Sequence, residues 1–287
     1  MAQVATIAEA GPLAVVQHEH PAKAPVASKW PTLNRARARW WRMAVVLPVA
    51  VYFLVPLYAG LRYSLAYNGP GWSLQAYTGL FSQDGFGSSI WLSAQLAAVT
   101  TVVTLLIMVP TTVYVHLRVP HLRRLMDFIT ALPIVIPPVV VMIGVLDVAP
   151  ARLKSTPFLL ALEYVVLAVP FAYRALDAGV RALDLRTLTD ASRSLGSNGL
   201  VTLWRVIIPN LRVAILSATV LTLALVLGEY TMAALDQYST FPYWIVLFEQ
   251  SNSHVSVAAC FFSLALTWAV LVCISIFGRA RRQEVAI

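Results

Sequence analysis

The chain has 287 residues, 59% of them hydrophobic and only 12% charged, with a mean hydropathy of +0.74. That balance excludes an ordinary soluble domain, which needs more polar surface to face water. The net charge of +8 and pI near 9.8 do not indicate a nucleic-acid binder, because Lys and Arg fall in short clusters between apolar runs, without a basic groove pattern or interleaved stacking aromatics.

In chain order, residues 1–40 read as a flexible cytoplasmic arm. Met1 to Lys29 is rich in Ala, Pro and Val, too poor in burial to order itself, and lacks the basic-then-apolar order of a secretory signal. Arg35, Arg37, Arg39 and Arg42 then stand before the first long apolar run beside Trp40 and Trp41, which suit the headgroup boundary. The stretch 41–278 contains six predicted transmembrane helices, at 43–65, 90–116, 125–148, 156–176, 210–235 and 254–278, each long enough to cross a hydrocarbon layer of ~30 Å. Residues 279–287 form a basic cytoplasmic tail. With the N-terminus inside, 18 of the 21 Lys and Arg lie on the cytoplasmic side, leaving Arg62, Arg152 and Lys154 outside. This bias predicts cytoplasmic N- and C-termini.

Pro133, Pro137 and Pro138 crowd the start of the third span and predict a kink or local unwinding, since each removes a helix donor. Glu163 falls in the fourth span, and Glu229 in the outer part of the fifth. Asp147, Asp236 and Glu249 fall near outer span ends, where acids favour a cation but can also simply reach water. Pro137, Asp147, Glu229, Tyr230 and Asp236 are the candidate pathway residues. Cys260 and Cys273 are thirteen residues apart in one apolar run, about 20 Å on a helix, too far for a disulfide between them.

The loop between the fourth and fifth spans, about 184–209, is the most patterned segment. It reads as a short helix through Asp190-Ala191-Ser192, a turn at Gly196, and a second helix from Gly199 to Val206 that ends before Pro209. The product is a helical elbow offering Leu195, Leu200, Leu203 and Trp204 among Arg193 and Arg205, a surface suited to a protein groove.

Asp190-Ala191-Ser192, Gly196 and Val206-Ile207-Ile208-Pro209, with nine residues between, resemble the coupling loop of permease subunits of type I ATP-binding-cassette importers. Asp190, Ser192, Val206 and Ile208 each depart conservatively from that family's usual Glu, Ala, Ile and Leu. Over about 40–278, Leu47-Pro48, Phe53-Leu54-Val55-Pro56-Leu57, Trp72-Ser73-Leu74-Gln75-Ala76-Tyr77, Gly228-Glu229-Tyr230 and Thr240-Phe241-Pro242-Tyr243-Trp244-Ile245 resemble the polyamine, iron, thiamine and aminoethylphosphonate group. The resemblance implies an all-α membrane fold of six transmembrane helices with a cytoplasmic coupling helix, in a bacterial cytoplasmic (inner) membrane. It implies an ATPase dimer that binds ATP and Mg, a second permease, and an extracytoplasmic substrate-binding protein as partners. By motif position, Asp190, Ala191, Ser192 and Gly196 seat the coupling helix, with Arg193, Trp204, Arg205, Ile207 and Pro209 shaping it. The implied substrate is a small solute such as a polyamine.

Other chemistries find no pattern. The chain has no Gly-x-x-x-x-Gly-Lys-Ser/Thr loop, no His-Glu-x-x-His motif and no Gly-x-Ser-x-Gly elbow, so ATP hydrolysis is expected in a partner and no cofactor in this chain. His18, His20, His116, His121 and His254 do not form a metal-ligand set. An ion-coupled secondary transporter using Glu163 and Glu229 is the alternative, although no internal repeat supports it.

Overall fold

The computed structural model describes residues 35–67, 69, 71–154 and 156–280, with side chains described within 40–276. The arm before Arg35 and the tail residues Arg281 and Arg282 lie outside the described residues. The chain divides into two units, Met1–Leu54 and Val55–Ile287. Of the first, the described part is a continuous helix.

Every regular element among the described residues is helical. The order is α1 (Arg35–Leu65), α2 (Gln75–Leu80), α3 (Phe86–Arg118), α4 (Arg123–Val135), α5 (Pro138–Val148), α6 (Ala151–Lys154) and α7 (Pro157–Arg181), with a single tight turn, Pro120–Leu122, before α4. It continues through α8 (Leu185–Ser194), α9 (Gly199–Thr202), α10 (Ile208–Asn210), α11 (Arg212–Gly228), α12 (Thr231–Leu235), α13 (Phe241–Glu249) and α14 (Ser253–Ala280). Among the described residues, five stretches are long and apolar enough to cross a bilayer: Trp40–Leu65, Phe86–Arg118, Pro157–Arg181, Arg212–Leu235 and Ser253–Ile276. The sixth expected span is not one helix. Pro120–Val135 and Pro138–Val148 meet at a bend of 99°. Ile136 is extended at φ −80°, ψ 125°, because a residue followed by proline is pushed out of the α region, and Pro138 then fits the first turn of α5. Pro133, by contrast, sits inside α4 without stopping it. The fifth span is also interrupted, at Glu229–Tyr230 between α11 and α12.

Within the second unit, α3, α7 and α11 pack together at the centre. The buried face of α3 carries Ser89, Ser93, Leu96, Ala97, Thr100, Thr104 and Met108 at helical spacing. Small and hydroxyl side chains let helices approach closely where lipid supplies no hydrophobic drive. Thr100 Oγ1 donates to the Ala161 carbonyl at 3.2 Å across the α3–α7 contact. At one end, Phe86, Phe241 and Trp244 form an aromatic cluster, with Trp244 Nε1 donating to the Asp84 carbonyl at 3.0 Å and Phe241 N donating to Ser93 Oγ at 2.8 Å.

At the opposite end, Val113, Tyr173, Leu176, Leu185, Ile207 and Leu211 share one core, so α8 and the segment after α9 are built into the bundle. The buried Asp177 of α7 gathers three basic side chains there. Arg181 Nη2 lies 2.7 Å from Oδ2, and His116 Nε2 and Arg123 Nη2 lie 3.0 and 3.8 Å from Oδ1. The His116 Nδ1 atom is 2.9 Å from the Thr112 carbonyl, to which it donates. One carboxylate therefore ties the ends of α3, α4 and α7, an arrangement in which a buried charge is tolerated because it is paired.

Candidate functional site

The elbow is built from local capping. Asp184 precedes α8, and its carboxylate accepts from Thr187 Oγ1 at 2.7 Å and Thr187 N at 3.2 Å. These bonds hold the Asp184 carboxyl below the usual carboxylate range and satisfy an orphan amide of the first turn. Leu185, Thr189 and Ser192 face the bundle, leaving Asp190, Ala191 and Arg193 exposed. Gly196 adopts φ +81°. Its N–H donates to the Arg193 carbonyl at 2.8 Å and Ser197 N donates to the Ser192 carbonyl at 3.2 Å, the paired bonds of a left-handed helix stop. Asn198 then caps α9 by accepting from Val201 N at 2.8 Å.

One hydroxyl pair locks the two arms. Ser192 Oγ and Thr202 Oγ1 are 3.0 Å apart and buried. Since Thr202 Oγ1 donates to the Asn198 carbonyl at 3.0 Å, Ser192 is the donor of the pair. The second arm does not stop before Pro209, contrary to the sequence expectation. It widens into one π turn over Leu203–Ile207 and continues through α10, with Pro209 in the first turn of that helix, where a missing N–H costs least. Leu203 turns inward and packs on the core with buried Ile207. Leu195, Leu200 and Trp204 project outward at 86%, 70% and 62% exposure, and Arg205 and Pro209 are exposed beside them.

The acidic candidates separate. Pro137 sits at the 99° bend, and α5, which follows it, packs against α7 and α12. Glu229 lies at the second break and accepts from Met232 N at 3.1 and 3.2 Å through its two oxygens, so it caps α12. Tyr230 flanks the break, 6.1 Å from the Tyr243 ring. Glu229 and Asp236 act electrostatically on Glu163, and Glu229 also reaches Tyr164. Both Glu163 oxygens and Asp236 Oδ2 are buried without a hydrogen-bond partner among the described residues. Asp147 and Glu249 are exposed, and no described contact joins them to this group. No set of three His, Cys, Asp or Glu able to hold a metal occurs among the described residues. Cys260 and Cys273 are both free.

No family model matches the chain. The spermidine/putrescine transport system permease protein PotB of Haemophilus influenzae is 26% identical over 182 residues, which is 57% of this chain and 63% of that protein. The ferric transport system permease protein FbpB of Actinobacillus pleuropneumoniae is 28% identical over 172 residues, 56% of this chain and 23% of that one. The chain thus matches less than two thirds of the length of either curated relative. A bacterial ABC transporter involved in the import of the acidic polysaccharide alginate superposes with a TM-score of 0.68 at 14% identity, covering 86% of this chain and 97% of the other. The fold is that of an ABC importer permease. A second alginate transporter structure, in complex with an alginate pentasaccharide-bound periplasmic protein, gives a TM-score of 0.64 at 15% identity over 88% and 96% of the two chains.

Within this permease fold, some contributors went unread in the sequence. Thr202 was legible only as a position in the second helix and Asn198 only as a residue of the turn before it, although Asn ahead of Gly-Leu-Val-Thr is a helix-start signal. Glu163 was visible as an acid in an apolar run, but its nearness to Glu229 and Asp236 was not, and Tyr164 carried no signal. The Ser192–Thr202 pair gives a direct prediction. Ser192→Ala loses one hydrogen bond of about 1 kcal/mol and leaves Thr202 Oγ1 bonded to Asn198. Amide exchange over 192–202 should therefore rise about fivefold, and an unchanged exchange rate would show that the pair holds nothing.

Proposed function

We propose that the chain is the transmembrane subunit of an ATP-driven importer, forming half of a solute pathway and passing force from a separate ATPase to it. The observation that carries this reading is the elbow. It presents Leu195, Leu200 and Trp204 to the outside while Ser192, Ile207 and Leu211 root it in the core. An apolar anchor set on a rigid base is what a partner protein needs to push against. Because the elbow leads through α10 directly into α11, a displacement of the elbow moves the interrupted α11–α12 span. ATP and Mg belong to the ATPase, docked as a dimer. A second permease completes the pathway, a binding protein delivers substrate, and both termini lie on the cytoplasmic side of a bacterial inner membrane.

The kinship with a spermidine/putrescine permease and the unpartnered carboxyls of Glu163 and Asp236, with Glu229 of the second break acting electrostatically on Glu163, favour an organic cation as substrate. Buried carboxylates without partners either hold a proton or take a counter-charge, and a passing ammonium supplies the second. Glu163→Gln removes that charge while preserving shape. In proteoliposomes containing the assembled importer, polyamine uptake should fall about tenfold or more, roughly 1.4 kcal/mol or more, with unchanged yield of the complex. Undiminished uptake would remove Glu163 from the pathway.

The test of the main reading is purification of the tagged chain in mild detergent with its co-purifying subunits. Recovery of an ATPase and a second permease supports the importer. A functional transporter without an ATPase would return the ion-coupled reading to first place.

A further inference from the structure

A cavity of about 580 Å³ opens between the last turns of α3 and the elbow. It shares Leu200 and Ile207 with the elbow, but its α3 wall takes no part in coupling. Its walls from α3 run from Pro110 to Arg118, eight helical steps or roughly 12 Å along a helix axis. Its walls from the elbow include Arg193, Leu200 and Leu203. Two features set its chemistry. Arg118 and Arg193 both line it, no acidic residue does, and neither arginine takes part in an ion pair among the described residues. Asp190, three positions before Arg193 on α8, is not paired with it. The rest of the lining is largely apolar, with Pro110, Tyr114 and Leu117 leading away from Arg118 along a membrane-spanning helix.

We infer that this cavity binds an anionic phospholipid of the leaflet on the elbow side, its phosphate between Arg118 and Arg193 and an acyl chain along Pro110, Tyr114 and Leu117. Guanidinium is suited to phosphate because its planar fork donates two parallel hydrogen bonds. Arg118 is the last residue of a spanning helix, so its charge stands at headgroup depth, where basic pockets between helices select anionic lipids. A free phosphate would satisfy the arginines but leave the apolar length empty. An ATPase segment is disfavoured because two of the three outward anchors of the elbow, Leu195 and Trp204, are not part of the lining, and only Leu200 is. A lipid here touches α3 and the elbow together and so stiffens the joint between them.

The test uses the full chain with its co-purifying subunits in nanodiscs. Phosphatidylglycerol is titrated against phosphatidylcholine, and lipid retention is read by native mass spectrometry. Thermal unfolding is followed in parallel. The expected result is one tightly retained phosphatidylglycerol per chain, with affinity at least tenfold above phosphatidylcholine. Arg118→Gln should reduce that preference at least tenfold. Arg124→Gln removes the same charge from the neighbouring α4, outside the cavity, and should leave it intact. Thr111→Phe crowds the apolar end and should weaken retention with both arginines present. Equal retention of the two lipids, or equal losses from Arg118→Gln and Arg124→Gln, would overturn the site. So would full protection by glycerol phosphate alone, which would make it a free-anion site, or retention of the lipid only after the ATPase has been stripped from the complex, which would make it part of the docking groove.

Discussion

Gly196→Val is expected to abolish the stimulation of ATP hydrolysis by substrate-loaded binding protein in the assembled importer, while the chain still inserts and purifies. The reason is conformational and confined to the elbow. Gly196 holds φ +81°, and a β-branched residue in that region is strained by on the order of 2 kcal/mol. Space is not the obstacle, since a Cβ added at Gly196 meets nothing within 4 Å. The strain is relieved by releasing the bonds from Gly196 N to Arg193 and from Ser197 N to Ser192, which uncouples α8 from α9 and misplaces Leu200 and Trp204 relative to Leu195. Gly196→Asn is the matched control. Asparagine tolerates the left-handed region and should keep most of the stimulation despite a bulkier side chain. The measurement is ATPase activity with and without loaded binding protein. Normal stimulation in the valine variant would refute the coupling role.

The second large effect is expected at Gly179 on α7. A Cβ built there would stand 2.2 Å from Ala214 Cβ on α11, against the 3.5–4.0 Å of an ordinary carbon contact. Gly179→Ala therefore forces α7 and α11 apart by more than an ångström at the place where α11 leaves the elbow. Overpacking of this kind costs about 1–3 kcal/mol, and the thermal midpoint of the detergent-solubilised chain should fall by several degrees. The swap Gly179→Ala with Ala214→Gly restores the space and should recover most of the loss, since the cost of about 1 kcal/mol for a glycine inside α11 is offset by removing one from α7. A single variant as stable as the parent would mean that the two helices do not pack this closely.

These two glycines divide what can be read from one chain. Gly196 is legible in the sequence, because a helix stop is a local event: the bonds that enforce it span six residues, and Asp190-Ala191-Ser192 and Pro209 lie at recognisable spacing around it. The same holds for the apolar lengths of the spans and for the three prolines that predicted an interrupted third span. Composition and spacing suffice there because each property belongs to a short stretch and to the solvent around it. Gly179 looks like any glycine in a helix. Only tertiary packing decides that it faces Ala214, that the break at Pro137 opens to 99°, and that Asp177 collects His116, Arg123 and Arg181. The packing likewise decides that Glu163 comes within electrostatic range of Glu229 and Asp236, and that the wide turn at Leu203–Ile207 carries Leu203 into the core. The physical reason is separation along the chain. Ser93 and Phe241, 148 residues apart, become hydrogen-bonded neighbours through the mutual fit of helix faces, which no local propensity encodes.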